Sequence, residues 1–110
     1  MSDLSAKTPW QVTIDLMFHA LKVKNAALNA HAAHLLCQLK GPTVSRMVRE
    51  AALRRNGAPY RLRLLGVIER VGSVPTTDDC LLLHTLAADK NPQIRHAAAR
   101  CVVRCPVAGP

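Results

Sequence analysis

Prolines at positions 9, 42 and 75 recur every 33 residues, and Ala26, Pro59 and Pro92 form a second series at the same interval. Five of the seven prolines fall on these two series. Proline holds φ near the helical value and has no N–H to donate, so it suits the first turn of a helix and breaks an interior. Two proline series half a period apart therefore mark helix starts and cut each unit into two segments of about 17 residues. A third series, Ala33, Gly66 and Ala99, keeps one register small. Small residues at one register are expected where the same helix of each unit closely approaches its neighbours. The pattern predicts three copies of one unit, at about residues 8–41, 42–74 and 75–105, with 106–110 as a tail. The expected fold is all-α, a short α-solenoid of three stacked helical hairpins with six helices, forming one domain over 1–110.

Local signals place the helices. Thr8 caps a first helix from Pro9, with the apolar series Trp10, Ile14, Met17 and Leu21, ending near Lys24. Asn25 caps a second, with the stripe Leu28, Ala32, Leu35, Leu36 and Leu39, closed by Lys40-Gly41. A third runs from Pro42 through Val44, Met47, Val48 and Ala51 to the stop Arg54-Arg55-Asn56-Gly57. The fourth starts around Pro59, buries Tyr60, Leu64, Val67, Ile68 and Val71, and ends at Gly72. Thr76 and Asp79 are spaced as a capping box for the fifth, with the face Leu82, Leu83 and Leu86. Asp89-Lys90-Asn91-Pro92 then turns into a sixth helix carrying Ile94, Ala97, Ala98, Cys101, Val102 and Cys105. No segment alternates with period two, so no strand is predicted.

The 33-residue period also fits ankyrin and is one short of the tetratricopeptide length. Neither motif is present: no Thr-Pro-Leu-His opens the units, and three aromatics cannot supply a tetratricopeptide set three times. Asn91-Pro92-Gln93-Ile94-Arg95-His96-Ala97-Ala98-Ala99 instead resembles the start of the second helix in HEAT repeats. Pro59-Tyr60-Arg61-Leu62-Arg63 is similar, with its aliphatic-Arg pair one residue later, and the first unit keeps only Asn25 and its alanines. The resemblance implies that second helices line a concave face that binds other macromolecules, and that Arg95 is structural. It extends to HEAT-like DNA glycosylases and bilin lyases, whose chemistry no residue here marks.

Charge is uneven along the chain. The net +8 divides into +2 for residues 1–41, +5 for 42–74 and +1 for 75–110. All seven cations of the middle unit are arginines, whose planar fork of donors suits carboxylate or phosphate. Stacking by 33 residues aligns Ala30, Arg63 and His96; His34, Val67 and Arg100; and Cys37, Arg70 and Val103. Arg63 and Arg70 lie two turns apart on one helix, and His96, Arg100 and Arg104 form an i, i+4, i+8 row. The expected partner-binding residues are therefore Arg63, Arg70, His96, Arg100, Arg104 and His34, forming a basic strip on the side away from the apolar stripe.

No constellation marks catalysis. The chain has no glycine-rich phosphate loop and no nucleophile elbow, and the Asp78-Asp79 pair sits in a first helical turn where carboxylates meet the dipole. His31, His34 and Cys37 have ligand-like spacing, but three residues set three apart drift around a helix and do not converge on one ion. His31 is expected at the core edge and Cys37 against a loop or the next unit. Cys101 and Cys105 share an apolar face and are expected to act as small hydrophobes. The four cysteines show no secretory context, so reduced thiols are expected. The segment at 1–9 lacks a signal-peptide core and no stretch reaches the roughly 20 apolar residues of a span, which points to a soluble cytoplasmic protein.

These readings converge on a non-enzymatic binding module or scaffold without cofactor or metal, engaging an acidic protein partner through a basic concave face. The alternative is sequence-independent binding to duplex nucleic-acid backbone, which a sequence pI near 10.1 favours. Scarce aromatics argue against single strands, which need stacking platforms. No membrane partner is expected. Self-association is expected through apolar ends, with Trp10, Met17 and Phe18 at one and Leu81 to Leu83, Val102, Val103 and Val107 at the other.

Overall fold

Helix starts lie at, or within two residues of, the proline and cap positions. In the computed structural model, which describes residues 8–39, 41–103 and 105, these starts open six α-helices. They are α1 (Pro9–Lys22), α2 (Ala26–Leu36), α3 (Pro42–Ala52), α4 (Ala58–Val71), α5 (Thr77–Leu86) and α6 (Pro92–Val102). No strand occurs among the described residues. Thr8 and Gln11 form a reciprocal capping box on α1, while Asn25, Thr76 and Asn91 cap α2, α5 and α6 through their side chains. The N-caps of α3 and α4 are Gly41 and Gly57, and neither end has a side-chain cap. Gly41 (φ 69°) and Gly72 (φ 82°) are the positive-φ residues among those described, in a region that glycine enters freely.

Each odd helix packs on the following even one: α1 on α2, α3 on α4, α5 on α6. Contacts also run along the even helices, α2 to α4 to α6, and from α3 to α5, while α1 leans on α4. Helix α4 thus touches α1, α2, α3 and α6, and its Leu64, Leu65, Val67 and Ile68 are sealed in the core. The core is aliphatic, as the shortage of rings requires, with Met47, Val48, Leu83, Ile94 and Cys101 fully buried beside them.

Three helix ends fall short of their expected stops. Helix α1 ends at Lys22, where the carbonyls of Ala20 and Val23 accept from the Asn29 amide at 2.7 and 3.0 Å. Helix α2 ends at Leu36, and Gly41 opens α3 instead of closing α2. Helix α3 ends at Ala52, with the Asn56 amide on the Glu50 carbonyl. In the first and third cases a side chain beyond the helix takes a terminal carbonyl, which completes the end early.

The small-residue series has a different role from the one expected. A Cβ at Gly66 would meet nothing within 4 Å, and Ala99 is exposed. Ala33 and Gly66 line an open groove instead of a tight helix crossing. The apolar stripes are also redistributed. Trp10 is 57% exposed and Leu28 48%, while Phe18 closes the core near α1. Leu16, Leu28 and Leu35 flank a shallow apolar recess of about 160 Å³, where exposed His31 lies too.

Candidate functional site

Seven arginines in the middle unit read as a uniform anionic-partner signal, but three of them are drawn into contacts between helices. Arg46 of α3 pairs with Asp15 of α1 at 2.6 Å and lies over the Phe18 ring, 4.2 Å from its centroid. Arg61 of α4 is only 6% exposed. Its Nε donates to the Ala51 carbonyl at 2.7 Å, and its Nη2 lies 3.5 Å from Oδ1 of Asp89 without a hydrogen bond of its own. Arg63 donates from Nη1 to the Leu21 carbonyl at 2.8 Å, at the negative end of the α1 dipole.

Asp89, in the α5–α6 turn, is the anchor for Arg61. The backbone amide of Asn91 donates to its carboxylate at 2.9 Å, and the charges of Arg61 and Arg54 add to that, holding Asp89 below the usual carboxylate range against the opposing effect of burial. The Asp89 carbonyl accepts from Arg95 at 3.1 Å, so Arg95 ties down the same turn. Asp79 departs from the capping-box expectation. Its backbone amide donates to Thr76 Oγ1, but its buried carboxylate accepts from the Ser45 hydroxyl of α3 and so links two units.

Among the expected partner-binding residues, Arg63 and Arg70 are brought together. Both line a groove of about 250 Å³ between α2 and α4, floored by Ala30, Ala33, Gly66 and Val67. Seven residues along a helix is two turns, which explains why both reach the same groove. Val67, aligned by the repeat with exposed positions, is buried and forms part of the floor. Arg100 is exposed and pairs with Glu69 of α4 at 3.1 Å, and His96 is exposed on α6. His34 is exposed on α2 with Nε2 3.3 Å from the Gln38 amide nitrogen. Arg104 lies outside the described residues, as does Val107 of the expected apolar end.

A second basic recess was not read from the sequence. Lys22, Lys24, Arg55, Arg63 and Tyr60 line a cavity of about 420 Å³ where the end of α1 meets the start of α4. The ammonium of Lys22 lies 5.2 Å from the centroid of the Tyr60 ring. The Tyr60 hydroxyl donates to Glu50 at 3.0 Å, and burial, then that hydrogen bond, push the phenol well above its usual range. The missed signal was composite: Lys22 and Lys24 fall in the first unit and Arg55 in the second, so a tally by unit separates residues that the turns bring together.

The cysteines are free thiols. Cys37 Sγ donates to the His34 carbonyl at 3.0 Å, and buried Cys101 donates to the Leu65 carbonyl at 3.2 Å. Burial first, then contact with Cys80, raises the Cys105 thiol to about 12, which leaves it protonated and a poor nucleophile. Among the described residues no group of three His, Cys, Asp or Glu side chains is placed to hold a metal ion. No helix among them is long and apolar enough to cross a membrane. No family model, curated protein or solved structure matches the chain.

Proposed function

We propose that the chain is a HEAT-like binding module, three hairpins stacked as a short solenoid, and that the groove between α2 and α4 receives an acidic segment of another protein. The observation that carries this reading is the pairing of an apolar floor with the guanidinium groups of Arg63 and Arg70. Such a groove accepts an extended acidic chain by burying its apolar side chains while the rim meets its carboxylates. Contacts along α2, α4 and α6 support the stacked arrangement, and the free thiols suit a cytoplasmic location. Net charge +8 favours the alternative, duplex nucleic-acid backbone.

Arg70 is exposed and forms no ion pair with any of the described residues, so Arg70→Ala probes the groove without disturbing a structural contact. Fluorescence anisotropy with an Asp/Glu-rich peptide should show saturable binding that Arg70→Ala weakens by about three- to tenfold, the worth of one charge-assisted contact. Random-sequence duplex DNA run in parallel, at low and moderate salt, separates the readings. A steep salt-dependent affinity for duplex with none for the peptide would replace the first by the second, and no binding of either would reject both.

Self-association belongs to the same proposal. The expected end residues Met17, Phe18 and Leu83 are buried, while exposed Leu16, Leu28 and Leu35 flank one recess on α1 and α2, and Trp10, Leu81 and Val103 are exposed elsewhere. Sedimentation velocity over a concentration series should show a mass rising above 12.0 kDa. A strict monomer throughout removes this part.

A further inference from the structure

We infer that the recess between the end of α1 and the start of α4 is a binding site for a diphosphate group. Three arginines elsewhere are matched to carboxylates: Arg46 to Asp15, Arg61 to Asp89 and Arg100 to Glu69. Here four cations, Lys22, Lys24, Arg55 and Arg63, line one cavity, and no carboxylate among the described residues lines its wall. Like charges gathered around a shared hollow repel one another, and a polyanion seated among them removes that repulsion while gaining charge-assisted hydrogen bonds.

Two of the four are already oriented. Arg63 is fixed by its bond to the Leu21 carbonyl, and its other donors remain. Lys22 is placed by the Tyr60 ring. The nearby carboxylate, Glu50, is turned to the Tyr60 hydroxyl and does not line the cavity. Gly57, which does, supplies no side-chain cap to α4, so the first turn of that helix presents its positive end to the same space. A cavity of about 420 Å³ is larger than one phosphate needs and accommodates two. Four cations against a diphosphate also balance charge better than against a single monoanion.

The test is a titration of the isotope-labelled chain with inorganic pyrophosphate at about 150 mM salt, followed by amide chemical shifts. Saturable shifts at residues 22–24 and 55–63 are expected, with a dissociation constant at or below about 1 mM. Lys24→Ala/Arg55→Ala should weaken binding at least about tenfold. Both side chains are exposed, so the double variant should keep the wild-type melting temperature. ADP, titrated in parallel, distinguishes the source of the diphosphate. Affinity equal to pyrophosphate means the phosphates alone are read, and tighter binding means that a nucleoside is seated as well; both support the site. Absence of saturation by about 10 mM, equal shifts with sulfate at matched ionic strength, or an undiminished response in the double variant would each overturn it. Neither substituted residue lines the α2–α4 groove, so the outcome is independent of the acidic-peptide titration.

Discussion

Arg61→Ala is expected to destabilise the fold by about 3–5 kcal/mol, the typical cost of removing one member of a buried ion pair. The loss has three parts on the structure. Asp89, 7% exposed, keeps its charge without its guanidinium partner. The Ala51 carbonyl at the end of α3 loses its donor. The packing of a long side chain between α3, α4 and the α5–α6 turn also disappears. Urea unfolding reads the total, and a cost below about 1 kcal/mol would show that the pair is not buried in solution. Arg61→Met/Asp89→Asn removes both charges while keeping the bulk and the acceptor for Asn91, and should recover much of the loss.

The same pair fixes the direction of a pH effect. Asp89 has a lowered folded pKa, caused first by the Asn91 amide and then by the arginine charges. A carboxyl with a lowered folded pKa contributes stability that is present above its unfolded pKa, about 3.9, and is lost as pH falls through the folded value. In Arg61→Ala part of that lowering is gone. The stability gap between wild type and variant should therefore be widest near neutrality and narrow as Asp89 becomes protonated. A gap independent of pH down to about 3 would mean that the Asp89 charge does not act on Arg61.

Leu65→Ala should cost about 2–5 kcal/mol. Leu65 is fully buried on α4, the helix that touches α1, α2, α3 and α6, and its carbonyl accepts from the Cys101 thiol. Truncation there opens a void that the fixed surroundings fill only partly, so the transfer and cavity costs add. Against a total stability of about 5–15 kcal/mol for a typical domain, that is a large share. A thermal or urea midpoint within the error of wild type would show that α4 is not at the centre of the fold. Leu81→Ala is the matched control. Its side chain is exposed, and its effect should stay within about 0.5 kcal/mol.

What could be read along the chain and what could not divide by range. Proline placement and cap chemistry act within four residues, so Thr8, Asn25, Asn91 and Pro42 placed helix starts well. Buried Ile94 likewise follows from its aliphatic register. Arg61 occupies the register of Ile94, 33 residues earlier, and so had a positional mark of burial. Its charge concealed that mark, because an arginine is expected outside until a partner is known. Asp79 likewise reads as a first-turn carboxylate, since Ser45 lies 34 positions away. In the candidate site, the spacing of Arg63 and Arg70 was legible because two helical turns set it. The second recess was not, because it is assembled by turns whose geometry depends on Asn29 and Asn56 reaching back to carbonyls.

Both positive-φ glycines flank the α3–α4 pair, Gly41 immediately before α3 and Gly72 immediately after α4. Turns within a pair need no such residue, so backbone handedness is committed only at the joints from one pair to the next. Any side chain there would meet a penalty of about 1–3 kcal/mol, felt in how successive pairs are pitched against each other while each pair stays whole.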